Sequence, residues 1–171
     1  SQYHIDELSN YFEGVYDADQ QLNSLYQYFK NHEEPAVLVY FGDHLPGFSE
    51  SLYETFPFNL REEDSFDAFS FSRQTPFLIW QNDAAKKLNG AASHKDQTDL
   101  LISANYLGHL TLETANLQPV SPLFSFLQQL RMELPVIMGD VYMDAQGETV
   151  HAVNKIQDQL LQLYKKWEYY I

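Results

Sequence analysis

The sequence predicts an α/β fold, with a mixed, mostly parallel central sheet flanked by helices and a small C-terminal antiparallel hairpin. Two observations lead there. Two short runs, Ala36-Val37-Leu38-Val39-Tyr40-Phe41 and Pro76-Phe77-Leu78-Ile79-Trp80, are apolar without alternation, as strands covered on both faces are. Around them, apolar residues recur at helical spacing, and helices alternating with strands favour a layered α/β domain. At 171 residues the chain is long enough for one domain with a real core, so the expected organisation is a single domain over 1–171.

The elements follow in order. Ile5, Leu8, Phe12, Val15, Leu22, Leu25 and Phe29 make an amphipathic helix over about residues 5 to 31. Asp19 interrupts that stripe and reads as a partly exposed helix residue. After His32-Glu33-Glu34-Pro35, the strand 36–41 is expected to be central, because an edge strand usually carries charge or alternates in polarity. A long excursion from Leu45 to Gln74 separates it from the strand 76–81. Its aromatics Phe48, Tyr53, Phe56, Phe58, Phe66, Phe69 and Phe71 either pack on the body or line a lipid or sugar cleft. The second strand ends in Gln81-Asn82-Asp83, a sheet edge where site residues gather, although Asn and Asp there more often make a turn or helix cap.

Helices are expected over about Ala104–Asn116 and Pro122–Leu134, the second announced by Ser121-Pro122, an N-cap followed by proline at the first helical position. Val136-Ile137-Met138 and Val141-Tyr142-Met143, with Asp144-Ala145-Gln146-Gly147, predict short antiparallel strands around a glycine turn. Ile156, Leu160, Leu163, Tyr164 and Trp167 define a closing helix.

Composition excludes several function classes. Aromatic content of 15% and hydrophobic content of 44% argue against disorder. With no cysteine, neither a disulfide framework nor a cysteine zinc site is available. A net charge of −14 makes nucleic acid a poor partner. No apolar run approaches the ~18–20 residues that span a bilayer.

The chemistry-bearing motif is Phe41-Gly42-Asp43-His44, at the carboxyl end of an apolar strand, where ligand sites of open α/β sheets gather. Glycine lets the chain turn so that a carboxylate and an imidazole converge, a donor pair that suits Zn, Mn or Fe(II) better than Ca. The alternative is a turn Asp beside a surface His. His94, in a small-residue loop, is a weak second candidate. Lys86, Lys87 and Lys95 read as solvated, and His4, His32, His109 and His151 as structural.

Val37-Leu38-Val39-Tyr40-Phe41-Gly42-Asp43-His44 resembles the late metal motif of the sulfatase/alkaline-phosphatase superfamily. More narrowly, it resembles that of lipoteichoic acid synthase-like phosphoglycerol transferases of Gram-positive bacteria. Residues Tyr11 to Phe29, Thr75 to Trp80 and Ser103 to Leu117 are similar to flanking elements of that family. Asn105 and Leu110-Thr111 depart from the Asp and Pro-Thr that the third often carries.

The resemblance implies an alkaline-phosphatase-like layered fold with Asp43 and His44 as ligands of a divalent metal, manganese by family habit. It implies a parent enzyme that moves glycerol phosphate from phosphatidylglycerol to a glycolipid or glycopolymer such as lipoteichoic acid. That enzyme would act on the outer face of the cell membrane, with its anchor upstream. The family's nucleophile and remaining ligands lie much earlier in the chain and have no counterpart here. This sequence is therefore expected to be a C-terminal portion, inactive alone. A sulfatase, a phosphodiesterase or a non-catalytic glycan-binding surface module are the alternatives.

Overall fold

Ser1 opens the structure as an N-cap, its hydroxyl accepting from the His4 backbone N–H at 3.3 Å, ahead of a 29-residue helix, α1 (Gln2–Lys30). The structure is a computed structural model that describes residues 1–56, 73–90, 98–117 and 121–170. It divides into two compact units, Ser1–Gly90 and Ala91–Ile171.

In the first unit, α1 forms where its periodicity predicts, but no residue of it is fully buried. The half-buried positions are His4, Glu7, Leu8, Ala18, Leu22, Tyr26 and Phe29, which share one face at helical spacing. Ile5, Phe12 and Leu25, part of the expected stripe, stay exposed. The packed face is chosen by partners distant in sequence. Tyr26 meets Trp80 edge-on at 4.9 Å, and Tyr11 meets Phe48 at 5.1 Å. Asp19 is exposed, as expected.

Strand β1 (Val37–Phe41) pairs with β2 (Phe77–Gln81) in antiparallel register, from Val37↔Gln81 to Phe41↔Phe77. This corrects the expectation of a central strand in a mostly parallel sheet. Among the described residues the sheet is two-stranded, and Tyr40, Phe41 and Leu78 remain exposed. An apolar run records a demand for burial on both faces and is silent on the partner's direction. The excursion between the strands is long enough to deliver either direction.

A short helix, α2 (Glu50–Tyr53), lies in the excursion. Phe48, Tyr53 and Phe56 pack on one another, and Phe48 on Tyr11 of α1, so these three cover the body and do not line an open cleft. The Tyr53 hydroxyl donates to the Pro46 carbonyl. Glu7 grips the start of α2, accepting from the Ser49 N–H at 2.6 Å and its hydroxyl at 2.7 Å. Phe58, Phe66, Phe69 and Phe71 lie outside the described residues.

Asn82 ends β2 and caps α3 (Asp83–Asn89). It is 1% exposed and uses both ends of its amide. Oδ1 accepts from Ala85 N–H at 2.9 Å and Ala36 N–H at 3.0 Å. Nδ2 donates to the carbonyls of Phe29 (3.1 Å), His32 (3.2 Å) and Glu34 (2.8 Å). One side chain thus joins the end of α1, the connection after it, the start of β1 and the start of α3.

The second unit packs a 3-10 turn (Ala104–Tyr106), α4 (Leu107–Thr114), α5 (Pro122–Glu133) and α6 (Lys155–Tyr170) around Tyr106, Phe126, Leu127, Leu130, Leu134, Leu160 and Leu161. Ser121 caps α5 as its sequence predicts, accepting from Phe124 N–H. The predicted hairpin is present with a third strand: β3 (Val136–Met138), β4 (Val141–Met143) and β5 (Thr149–Val150), all antiparallel. Gly139 starts the two-residue turn between β3 and β4 at φ +60°, a conformation that glycine adopts without steric cost. No helix among the described residues is long and apolar enough to cross a membrane.

Candidate metal centre

The chain leaves β1 through Gly42, whose N–H donates to Pro76 carbonyl at 3.0 Å while its own carbonyl accepts from the Thr75 hydroxyl at 2.8 Å. The backbones approach so closely that a Cβ at position 42 would sit 3.0 Å from Thr75 Cβ. Glycine leaves this contact relaxed, and a side chain here would press on Thr75. The pinned turn then delivers Asp43 and His44 to solvent, with 80% and 76% of their side chains exposed.

The two side chains converge. Asp43 Oδ1 accepts from the His44 N–H at 2.8 Å, which fixes the carboxylate and leaves Oδ2 facing His44 Nε2 at 3.3 Å. His44 Nδ1 lies 2.7 Å from the Leu45 carbonyl. A carbonyl only accepts, so Nδ1 carries a proton and donates, and in the neutral ring the lone pair sits on Nε2. Donation from the far nitrogen to a backbone carbonyl is a usual way in which a ligating imidazole is oriented.

This pair fits a divalent cation as part of a shell. With bonds of about 2.1 Å, an O···N separation of 3.3 Å subtends roughly the tetrahedral angle at one ion. Two ligands are fewer than the three or four that such sites draw from protein. Among the described residues no group of three or more His, Cys, Asp or Glu is placed to hold a metal. As an ion pair without a metal, so exposed a contact would add little to stability.

The antiparallel pairing sends the other candidate edge elsewhere. Gln81 is the residue opposite Val37, so Gln81-Asn82-Asp83 lies at the far end of the ladder from Asp43 and His44. Asn82 and Asp83 serve as helix cap and first turn. His94 and Lys95 lie outside the described residues.

The sulfatase family profile matches residues 2–117, more than half of the chain and including the Asp-His turn. The chain belongs to the sulfatase family. It is also similar to a protein of Rhizobium meliloti (strain 1021) described as "Putative cyclic beta-1,2-glucan modification protein", 28% identical over 86 residues. That alignment covers 48% of this chain and 13% of the relative's length. No solved structure matches.

One polar cluster of this sulfatase-family chain escapes sequence reading. His109 is fully buried on α4, with Nε2 3.4 Å from Glu113 Oε2, and Arg131 of α5 donates to the same oxygen at 2.7 Å. Burial pushes the imidazole below its ordinary pKa; Glu113 opposes this and Arg131 reinforces it. The i,i+4 spacing of His109 and Glu113 was visible, but Arg131 comes 18 residues later.

Proposed function

We propose that this chain is the C-terminal, metal-binding part of a phosphoglycerol transferase that transfers glycerol phosphate from phosphatidylglycerol to a glycan of the cell envelope. The observation that carries the reading is the convergence of Asp43 Oδ2 and His44 Nε2 at the end of β1, with the ring oriented from behind by Leu45. Sulfatase-family membership and a relative named for glucan modification support an ester-group chemistry directed at glycan. Within that reading, decoration of an existing glycan is favoured over synthesis of lipoteichoic acid.

Asp43 and His44 hold the divalent ion, with manganese the proposed metal. A bound cation supplies charge stabilisation to a transferring phosphoryl group and eases ionisation of a nucleophile. The protein's part is positioning. Thr75 and Pro76 pin Gly42, Asp43 is oriented by the His44 N–H, and His44 by the Leu45 carbonyl. The nucleophile, the remaining ligands and a membrane anchor belong to the parent upstream of this sequence, which works at the outer face of the membrane.

The test is glycerol phosphate transfer by the parent, from labelled phosphatidylglycerol to glucan, with and without added manganese. A sulfate ester runs alongside, because the family's description makes sulfatase the second reading. Asp43→Ala and His44→Ala should each lower transfer on the order of 10²–10³-fold or more, with unfolding midpoints unchanged. Near-normal transfer in either folded variant reduces the pair to a turn. Sulfate release without transfer moves the assignment to a sulfatase.

A further inference from the structure

We infer that a groove at the opposite end of the β1–β2 ladder is a docking site for a neutral glycan chain. The register places it: the His32–Pro35 connection enters β1 at the Val37–Gln81 pair, and Asp83 leaves β2 at the same end. A five-residue strand spans about 17 Å, so the groove is separate from Asp43 and His44. It rests on the proposed function for its ligand class, a glycan acceptor.

The groove has a volume of about 640 Å³ and is open to solvent; His32, Glu33, Pro35, Asp83, Lys87 and Leu88 line it. That size lies within the ~300–1,000 Å³ of ligand sites. The lining is amphipathic in the way a sugar ring is. Pro35 and Leu88 offer apolar surface to C–H faces, and two carboxylates and an ammonium offer acceptors and donors to hydroxyls. The Glu34 N–H donates to His32 Nδ1 at 3.2 Å, which puts the neutral ring's proton on Nε2 and adds a donor. Two carboxylates against one ammonium disfavour a phosphate or sulfate, so the groove suits an uncharged polyol. The site is open to solvent and not an enclosed cavity, so a long ligand is not excluded by a closed wall.

The walls are held before any ligand arrives. Buried Asn82 binds the carbonyls of His32 and Glu34 on one side and caps α3, which carries Asp83, Lys87 and Leu88, on the other. Preorganised walls spare the ligand the cost of ordering them. A glucan held here keeps its free length near the Asp-His end at raised effective concentration.

The experiment is a ¹⁵N-resolved NMR titration of the 171-residue chain with cyclic β-1,2-glucan and with a linear glucan oligosaccharide, using glycerol phosphate as control. Saturable shifts are expected at residues 32–35 and 83–88 and not at 43 and 44, from the glucans and not from glycerol phosphate. The variant carrying Glu33→Gln and Lys87→Met, both exposed, should bind glucan at least tenfold more weakly, while Asp43→Ala binds as wild type. Absence of saturable shifts, shifts confined to other residues, or unchanged binding by the double variant overturns the inference. If the parent transfers glycerol phosphate while the groove ignores glucan, this inference falls alone. If glucan fills the groove and no transfer occurs, the transfer reading falls and the docking site stands.

Discussion

Replacing Asn82 separates two explanations of why this residue is buried, as a helix cap or as a junction between four segments. The cap uses only Oδ1 with Ala85 N–H, and losing a cap costs about 1 kcal/mol. The junction adds Ala36 N–H on Oδ1 and three carbonyls on Nδ2. An amide has two N–H hydrogens, so one of those three bonds is shared, and the Glu34 contact at 2.8 Å is the shortest. Each lost bond costs about 1 kcal/mol net, and more where water cannot replace it, as at Ala85, which is 2% exposed. Asn82→Ala should therefore destabilise the first unit by about 3–5 kcal/mol. Asn82→Asp is the sharper variant, because it keeps both acceptors and the cap but turns a carboxylate toward three carbonyl oxygens. It should cost about as much as alanine. The assay is urea unfolding followed by Trp80 fluorescence in a Trp167→Phe background, since each unit holds one of the two tryptophans. With m near ~1–3 kcal/mol/M, a loss of about 3 kcal/mol moves the midpoint by about 1–3 M. An Asn82→Asp midpoint equal to wild type would reduce Asn82 to a cap and refute the junction.

Two further outcomes follow from contacts elsewhere in the chain. Gly42→Ala places a methyl 3.0 Å from Thr75 Cβ and should cost about 1–3 kcal/mol by overpacking; Thr75→Gly should recover part of that cost in a double-mutant cycle, and strict additivity of the two changes would sink the steric account. Because burial holds the folded-state pKa of His109 below its unfolded value, the unfolded chain takes up the proton first as pH falls. Stability of the second unit should decline as pH drops below ~6.5 and level off once the folded imidazole is also protonated. His109→Gln should flatten that part of the pH profile, read by Trp167 fluorescence in a Trp80→Phe background; an unchanged slope would exclude His109 as its source.

What the sequence disclosed was local. The extent of α1, the Ser121-Pro122 start of α5, the β3–β4 hairpin and the capping role of Asn82 all depend on residues within one turn of one another, and all are where their patterns place them. What it withheld depends on partners far along the chain. The face of α1 that packs is chosen by Trp80 and Phe48. The donors of Asn82 reach carbonyls 48 to 53 residues back. The Asp43–His44 contact was legible as adjacency after a glycine, but not the 2.7 Å bond from Nδ1 to Leu45 that leaves Nε2 able to ligate. That bond depends on the path of the chain after the turn, which composition does not encode.

Strand direction has the largest functional consequence. Had β1 and β2 run parallel, their carboxyl ends would lie together, and Asp43, His44, Asn82 and Asp83 would crowd one edge. The antiparallel register parts them by about the length of a five-residue strand. Four oxygen- and nitrogen-bearing side chains that look like one site in sequence thereby become two places with different chemistry. At one end a glycine-pinned turn exposes a carboxylate and an oriented imidazole, which suits a cation. At the other a buried amide holds the walls of an open groove lined by two carboxylates, an ammonium and apolar side chains, which on the inference above receives a neutral polyol. On the proposed function, a polymeric acceptor would be long enough to use both ends. This is why the groove should affect glucan binding while leaving the metal pair untouched, and why Asp43→Ala should do the reverse.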